Sequence, residues 1–247
     1  MYICSVRYRI ILSYDGAAFF GWQIQPDQPS VQGALEEALG ILLKERISVT
    51  GAGRTDTGVN ARGYVAHFDS GSALDCEQIR YKLNAMLPAS ISVEGLFPAE
   101  ADFHARFDAK RREYRYYLHR RKDPFAVKSY LYEYPGLDFD AMNRAAGMLC
   151  GTHDFACFQK TGSDNKTSVC TVFEAEWTKL DETHWQFRIS ADRFLRNMVR
   201  AIVGTLLEVG RGKRDAASMQ ALLDSADRCS AGESVPGHAL FLNSIEY

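Results

Sequence analysis

Residues 51–68, GAGRTDTGVNARGYVAHF, oblige the chain to turn tightly and then run straight into an extended strand. Gly51, Gly53 and Gly58 crowd around Arg54 and a single carboxylate, Asp56, within eight residues. Glycine lets the backbone adopt turns that other residues resist and lets another chain approach closely. Asp56, between Thr55 and Thr57-Gly58, suits a turn on its own account. Read instead as a base or nucleophile, it needs a partner that keeps it ionised and aimed. A distant arginine on a basic helix serves that purpose better than its neighbour Arg54.

Several site classes are excluded. Gly51-x-Gly53 follows a predicted strand, but Asp56 occupies the third glycine position of a dinucleotide fingerprint, where its charge would repel a pyrophosphate. No phosphate-binding G-x-x-x-x-G-K-[ST] occurs. His67 is the one nearby metal-ligand type, so no metal is expected. The six cysteines, Cys4, Cys76, Cys150, Cys157, Cys170 and Cys229, are scattered without C-x-x-C pairs and read as reduced thiols of a cytoplasmic protein. The N-terminus enters a strand without signal-peptide architecture. No run of about eighteen apolar residues predicts a membrane span.

Around this block, apolar spacing predicts alternating strands and helices. Val6, Tyr8, Ile10, Leu12 and Tyr14 mark a strand over 6–14, stopped by Asp15-Gly16. Ser30 suits the cap of a helix that carries Val31, Leu35, Ala38, Leu39 and Leu42 on one face. Strands are expected at 47–50 and 64–68, then a helix over 75–86 with Ile79, Leu83 and Met86 inward, then strands at 91–97 and 103–118. The second half continues with a helix at 140–149, strands at 171–179 and 185–190, and an amphipathic helix at 193–209 that turns Phe194, Met198, Ile202 and Leu206 inward. A shorter helix at 216–223 and a strand at 240–245 follow; 160–166 reads as a surface loop. The expected class is α+β: two similar halves, 1–105 and 106–247, RRM-like or ferredoxin-like, with mostly antiparallel sheets flanked by helices.

The formal net charge of −2 hides local basic clusters. Arg106, Lys110, Arg111, Arg112, Arg115, Arg120, Arg121 and Lys122 face only Asp108 and Glu113 between 104 and 122. Arg193, Arg196, Arg200, Arg211, Lys213 and Arg214 face only Glu208. Phe107, Tyr114, Tyr116 and Tyr117 interleave with the first cluster, which suits a polyanion carrying stackable bases.

Eight stretches, taken together and in order, resemble the TruA family of tRNA pseudouridine synthases. They are YDGAAFFGWQIQ (14–25), SVQGALEEAL (30–39), GRTDTGVNARGYVAHF (53–68), LNAMLP (83–88), DFHARFDAKRREYRYY (102–117), GTHDFACF (151–158), FLRNMVRAIVGTLLEVGRG (194–212) and ALFLNSIEY (239–247). The resemblance implies a pseudouridine synthase fold with a central cleft and isomerisation of uridines 38, 39 and 40 of the tRNA anticodon arm, without a cofactor. It implies Asp56 as nucleophile, Arg200 as its ionic partner, Tyr114 against the target uracil, and Arg54 helping that base leave its stack. It also implies a cytoplasmic homodimer with tRNA as partner. Lys110, Arg111, Arg112 and Arg196 are the candidate phosphate contacts. One departure stands out: the family often reads G-V-H-A where this chain has Gly58-Val59-Asn60-Ala61. The rival reading, a non-catalytic RNA-binding module on the same scaffold, predicts loss of Asp, Tyr or Arg at these positions, and all three are present.

Overall fold

A computed structural model describes residues 5–162 and 166–247. Cys4 and residues 163–165, part of the loop expected at 160–166, lie outside the described residues. The elements run β1 Val6–Tyr14, α1 Val31–Leu43, β2 Thr50–Gly51, β3 Asn60–Ser70, α2 Cys76–Met86, β4 Ile91–Pro98, β5 Arg111–His119, β6 Tyr130–Leu131, α3 Phe139–Gly147, β7 Gly151–Asp154, β8 Val169–Lys179, β9 His184–Ala191, α4 Met198–Gly210, α5 Ser218–Ser225 and β10 Leu240–Glu246. They fall into two compact units, Met1–Lys110 with Leu242–Tyr247, and Arg111–Phe241. The fold is α+β, with mostly antiparallel pairing. Among the described residues no helix is long and apolar enough to cross a membrane, and the five described cysteines are free.

In the first unit the strand order is β4-β1-β3-β10, with β2 beside β3. The period-two pattern of β1 buries Tyr8, Ile10, Leu12 and Tyr14 on one face. Opposite them in register lie Phe68, Ala66, Tyr64 and Ala61 of β3. The register slips between Leu12 and Tyr14, so the strand pair is bulged at the end that leads into the Asp56 loop. Ser30 caps α1 by accepting from the Gly33 N–H at 3.1 Å, and the helix buries Val31, Leu35 and Leu39.

The second unit carries the order β5-β9-β8-β7, with β6 parallel to β5. Here α3 packs against β8 and α4. The Phe139 ring lies 3.5 Å, centroid to centroid and nearly parallel, from Trp185.

One device recurs in both units. Asn84 of α2 donates its side-chain amide to the Val93 carbonyl at 2.8 Å and accepts the Val93 N–H at 2.7 Å. Asn143 of α3 does the same to Trp177 of β8, at 3.0 and 2.7 Å. Each helix thus supplies a side-chain substitute for a missing neighbouring strand and satisfies backbone groups that an open sheet edge would expose.

Five expectations need correction. The strand expected at 47–50 is only the two-residue β2. The strand expected at 103–118 begins at Arg111, because side chains win the backbone groups before it: Asp108 Oδ2 accepts the His104 N–H at 2.7 Å, and His104 Nδ1 accepts from Arg106 and Phe107. The helix expected at 193–209 starts at Met198, after Asn197 in a left-handed conformation, and is buried on nearly every side rather than amphipathic. Phe194 therefore lies outside that helix and is half-buried. Met86 is 42% exposed rather than inward. Strands β6 and β7 had no counterpart in the sequence pattern.

Candidate active site

The loop carrying Asp56 joins β2 to β3 and is tied down along its length. The Tyr64 hydroxyl accepts the Gly53 N–H at 3.3 Å and donates to the Gly53 carbonyl. The Trp22 ring stacks on Tyr64 with centroids 4.2 Å apart, while the Trp22 backbone N–H donates to the Thr55 carbonyl at 3.3 Å. Inside the core, the Tyr14 hydroxyl and Thr55 Oγ1 are 2.9 Å apart. The Asp56 carbonyl accepts the Val59 N–H at 3.1 Å, closing a turn whose third residue, Gly58, has φ of 77°. That value is why a glycine follows Thr57. Beyond the turn, buried Asn60 accepts the Gly16 N–H at 3.0 Å through Oδ1.

Asp56 itself is half-buried, and Arg54 is exposed with its Nε–H on Gln23 Oε1 at 3.0 Å. A half-buried carboxylate on a loop with its backbone pinned on both sides keeps its position when a substrate arrives. Two glycines here differ in kind. Gly21 has φ of 95°, and a Cβ there would stand 2.3 Å from the Thr55 carbonyl oxygen. Gly53 has no left-handed backbone, and a Cβ on it would meet nothing within 4 Å. The fold demands the first glycine and is indifferent to the second.

In the second unit, Tyr114 lies on β5 and meets Phe194 edge-on, with centroids 5.0 Å apart. Tyr116, two residues on, is fully buried, and among the described residues its hydroxyl has no hydrogen-bond partner; burial raises its pKa. Arg200 lies in the first turn of α4 and donates Nε–H to the Val235 carbonyl at 2.7 Å, while the Val235 N–H returns a bond to the Arg200 carbonyl. This clamp fixes the plane of the guanidinium, a group with four further N–H donors.

The expected phosphate contacts do not form one class. Arg111 donates to Glu174 at 2.8 Å and to Ser190 at 2.9 Å, and lies over the Phe173 ring. Arg115 pairs with Glu113 at 2.8 Å, and Arg188 reaches Glu174 and Glu176 at 3.4 and 3.0 Å. This cross-strand network matches the charge of Arg111 and Arg115 within the sheet. Arg112 is half-buried and donates to the Asp192 carbonyl at 2.6 Å; Lys110 and Arg196 are exposed.

The supporting residues, Tyr14, Trp22, Tyr64, Thr55, Phe194 and Val235, were given no part in the site from the sequence, where Tyr14 and Phe194 read only as strand and core residues. Tyr14 and Trp22 did stand in the stretch YDGAAFFGWQIQ, whose resemblance was a usable signal. Val235 carried none.

A family profile described as tRNA pseudouridine synthase matches residues 10–108 and 145–247, which contain Asp56 and Arg200; Tyr114 lies between the two stretches. The chain is similar to tRNA pseudouridine synthase A of Bacteroides thetaiotaomicron, 50% identical over 244 residues, covering 98% of this chain and 90% of that protein. It is also 50% identical to tRNA pseudouridine synthase A of Bacteroides fragilis over 243 residues, 98% and 96% of the two chains. With tRNA pseudouridine synthase A of Bacillus subtilis it shares 42% identity over 246 residues, 98% and 99% of the two chains.

Proposed function

Because this chain belongs to the tRNA pseudouridine synthase family, we propose that its Asp56 is the nucleophile that converts uridines 38, 39 and 40 of the tRNA anticodon arm to pseudouridine. The chain is an isomerase that acts on uridine in tRNA. The finer assignment is supported above all by the strapped loop, in which Thr55 is held by Tyr14 and Trp22 and the Asp56 carbonyl by Val59.

The target nucleotide leaves the RNA stack, at a cost of a few kcal/mol that weak pairing lowers. Arg54, exposed on the same loop, takes a place near the vacated position. Attack by the Asp56 carboxylate on the nucleotide leads to cleavage of the N1–C1′ bond; the freed uracil turns, C5 bonds to C1′, the bond to Asp56 breaks and frees the carboxylate, and the C5 proton passes to water while N1 gains one. Tyr114, braced by Phe194, holds the uracil through that rotation; stacking on a tyrosine is worth about 1–3 kcal/mol per base. Arg200 pairs with the Asp56 carboxylate, keeping it ionised and oriented. Lys110, Arg112 and Arg196 hold phosphates, whereas the Glu174 partner of Arg111 favours a structural role for that residue. The enzyme works in the cytoplasm as a homodimer.

Tritium release from tRNA carrying 5-tritiated uridine tests the assignment. Asp56→Ala and Asp56→Asn are expected to release none while binding tRNA within a few-fold of wild type. Substantial turnover by Asp56→Ala refutes the nucleophile role.

A further inference from the structure

The loop between β5 and β6, residues 120–129, displays the most exposed large hydrophobic side chain among the described residues. Phe125 is 90% exposed and Val127 69%. The loop is built rather than loose. Asp123 Oδ1 accepts the Phe125 N–H at 2.8 Å, an Asx turn that fixes the direction in which the ring leaves the backbone. The Ala126 N–H donates to the Asp123 carbonyl at 3.3 Å and the Ser129 N–H to the Ala126 carbonyl at 3.0 Å. At the base, His119 Nδ1 and Ser129 Oγ are 3.0 Å apart, and Arg120 donates to the Tyr134 carbonyl at 3.0 Å.

Within residues 120–129, Arg120, Arg121, Lys122 and Lys128 stand against a single acid, Asp123. Its carboxylate is engaged by the turn it caps. Arg121 and Lys122 are exposed. A rigid aromatic face beside several cations is the pairing of groups that single-stranded nucleic acid requires, a π-surface for a base and positive charge for its flanking phosphates. A second copy of this chain fits poorly. An isologous contact would set the same cations against themselves.

We propose that this loop is a second tRNA contact, in which Phe125 stacks on an unpaired base while Arg121 and Lys122 neutralise the phosphates beside it. The proposal rests on the tRNA-modifying reading of the chain but uses none of the residues assigned to the uridine.

The test is binding of unmodified tRNA by the full-length protein across a salt series, for Phe125→Ala, Phe125→Trp and the double variant Arg121→Ala/Lys122→Ala. Circular dichroism melting serves as the folding control. Phe125→Ala is expected to weaken binding by about 5- to 100-fold with the salt dependence unchanged, and Phe125→Trp to bind like wild type. The double variant should flatten the slope of log K against log salt by about 1.5–2. KM in the tritium assay should rise in step with Kd. Binding by Phe125→Ala within about twofold of wild type overturns the proposal. So does a loss of affinity that appears only together with conversion of a dimer to a monomer in sedimentation, since the loop would then join two copies of this chain. Wild-type tritium release separates this proposal from the isomerase reading. A wild-type protein that releases no tritium yet binds tRNA through Phe125 sinks the isomerase reading and leaves the loop standing; normal release with an indifferent Phe125 does the reverse.

Discussion

Tyr14, the last residue of β1, meets Thr55, the residue before Asp56, through hydroxyl groups 2.9 Å apart in the core of the first unit. The Asp56 loop is thereby bolted to the strand that organises the sheet. Tyr14→Phe leaves the Thr55 hydroxyl buried without this partner, which costs about 1–3 kcal/mol of stability. Urea unfolding reads that loss. Single-turnover tritium release should fall as well, by about tenfold or more, since a misplaced reacting group slows chemistry more than binding. An unaltered single-turnover rate would show that the bond matters only to folding.

Gly21 and Gly53 separate folding from function. Gly21→Ala places a methyl group against the Thr55 carbonyl in a left-handed backbone, and should destabilise the protein by about 1–3 kcal/mol. Gly53→Ala meets open space and should leave the melting temperature unchanged. Its kcat/KM should nonetheless fall, because the added methyl stands on the loop proposed to approach the flipped nucleotide. Full activity in Gly53→Ala would remove close RNA approach as the reason for that glycine.

Arg200 is held by Val235 through Nε, and the proposed pairing with Asp56 calls on its other N–H groups. Lysine has no planar fork with which to make both contacts. Arg200→Ala and Arg200→Lys should both lower kcat by about a hundredfold or more, with tRNA affinity little changed. Wild-type turnover by Arg200→Lys would show that charge alone suffices.

His67 predicts an acid limit to stability. It is buried, Nδ1 accepts the Ala105 N–H at 3.1 Å, and burial first, then the charges of Arg7 and His104, lower its pKa from 6.5 to about 4. The unfolded chain therefore takes up this proton at higher pH than the folded one. The contribution of neutral His67 is complete above pH 6.5 and is lost as pH falls from there towards about 4, by roughly 1–3 kcal/mol in all. Urea midpoints measured across that range should decline less steeply in His67→Asn, which retains an acceptor but no titrating ring. Parallel slopes in the two proteins would contradict this account.

Much of the molecule was legible in the sequence where local pattern and global burial agree. The alternation of β1, the Ser30 cap and the helix face of Val31, Leu35 and Leu39 all read directly. The pattern failed where side chains compete for the backbone, as at His104 and Asp108, or where tertiary burial surrounds a helix, as it does α4. Charge was the least legible feature. Counting along the chain set Arg111 among surface cations, while its partner Glu174 stands across the sheet, 63 residues away. The Asp56 block was visible as a tight turn, but nothing local to it names Tyr14 or Trp22 as its fastenings. Those bonds join residues 33 and 41 positions apart through tertiary packing, which sequence spacing does not encode.

The return of residues 242–247 to the first unit sets an order of assembly. The Lys110 N–H donates to the Glu246 carbonyl at 2.8 Å, and the Tyr247 hydroxyl to the Ala105 carbonyl at 2.7 Å. During synthesis, the region that emerges first from the ribosome must wait, one strand short, until residues 111–241 have been translated. Closing so long a loop is slow. The half made earliest is completed last, and a stalled nascent chain holds Asp56 on an unfinished sheet.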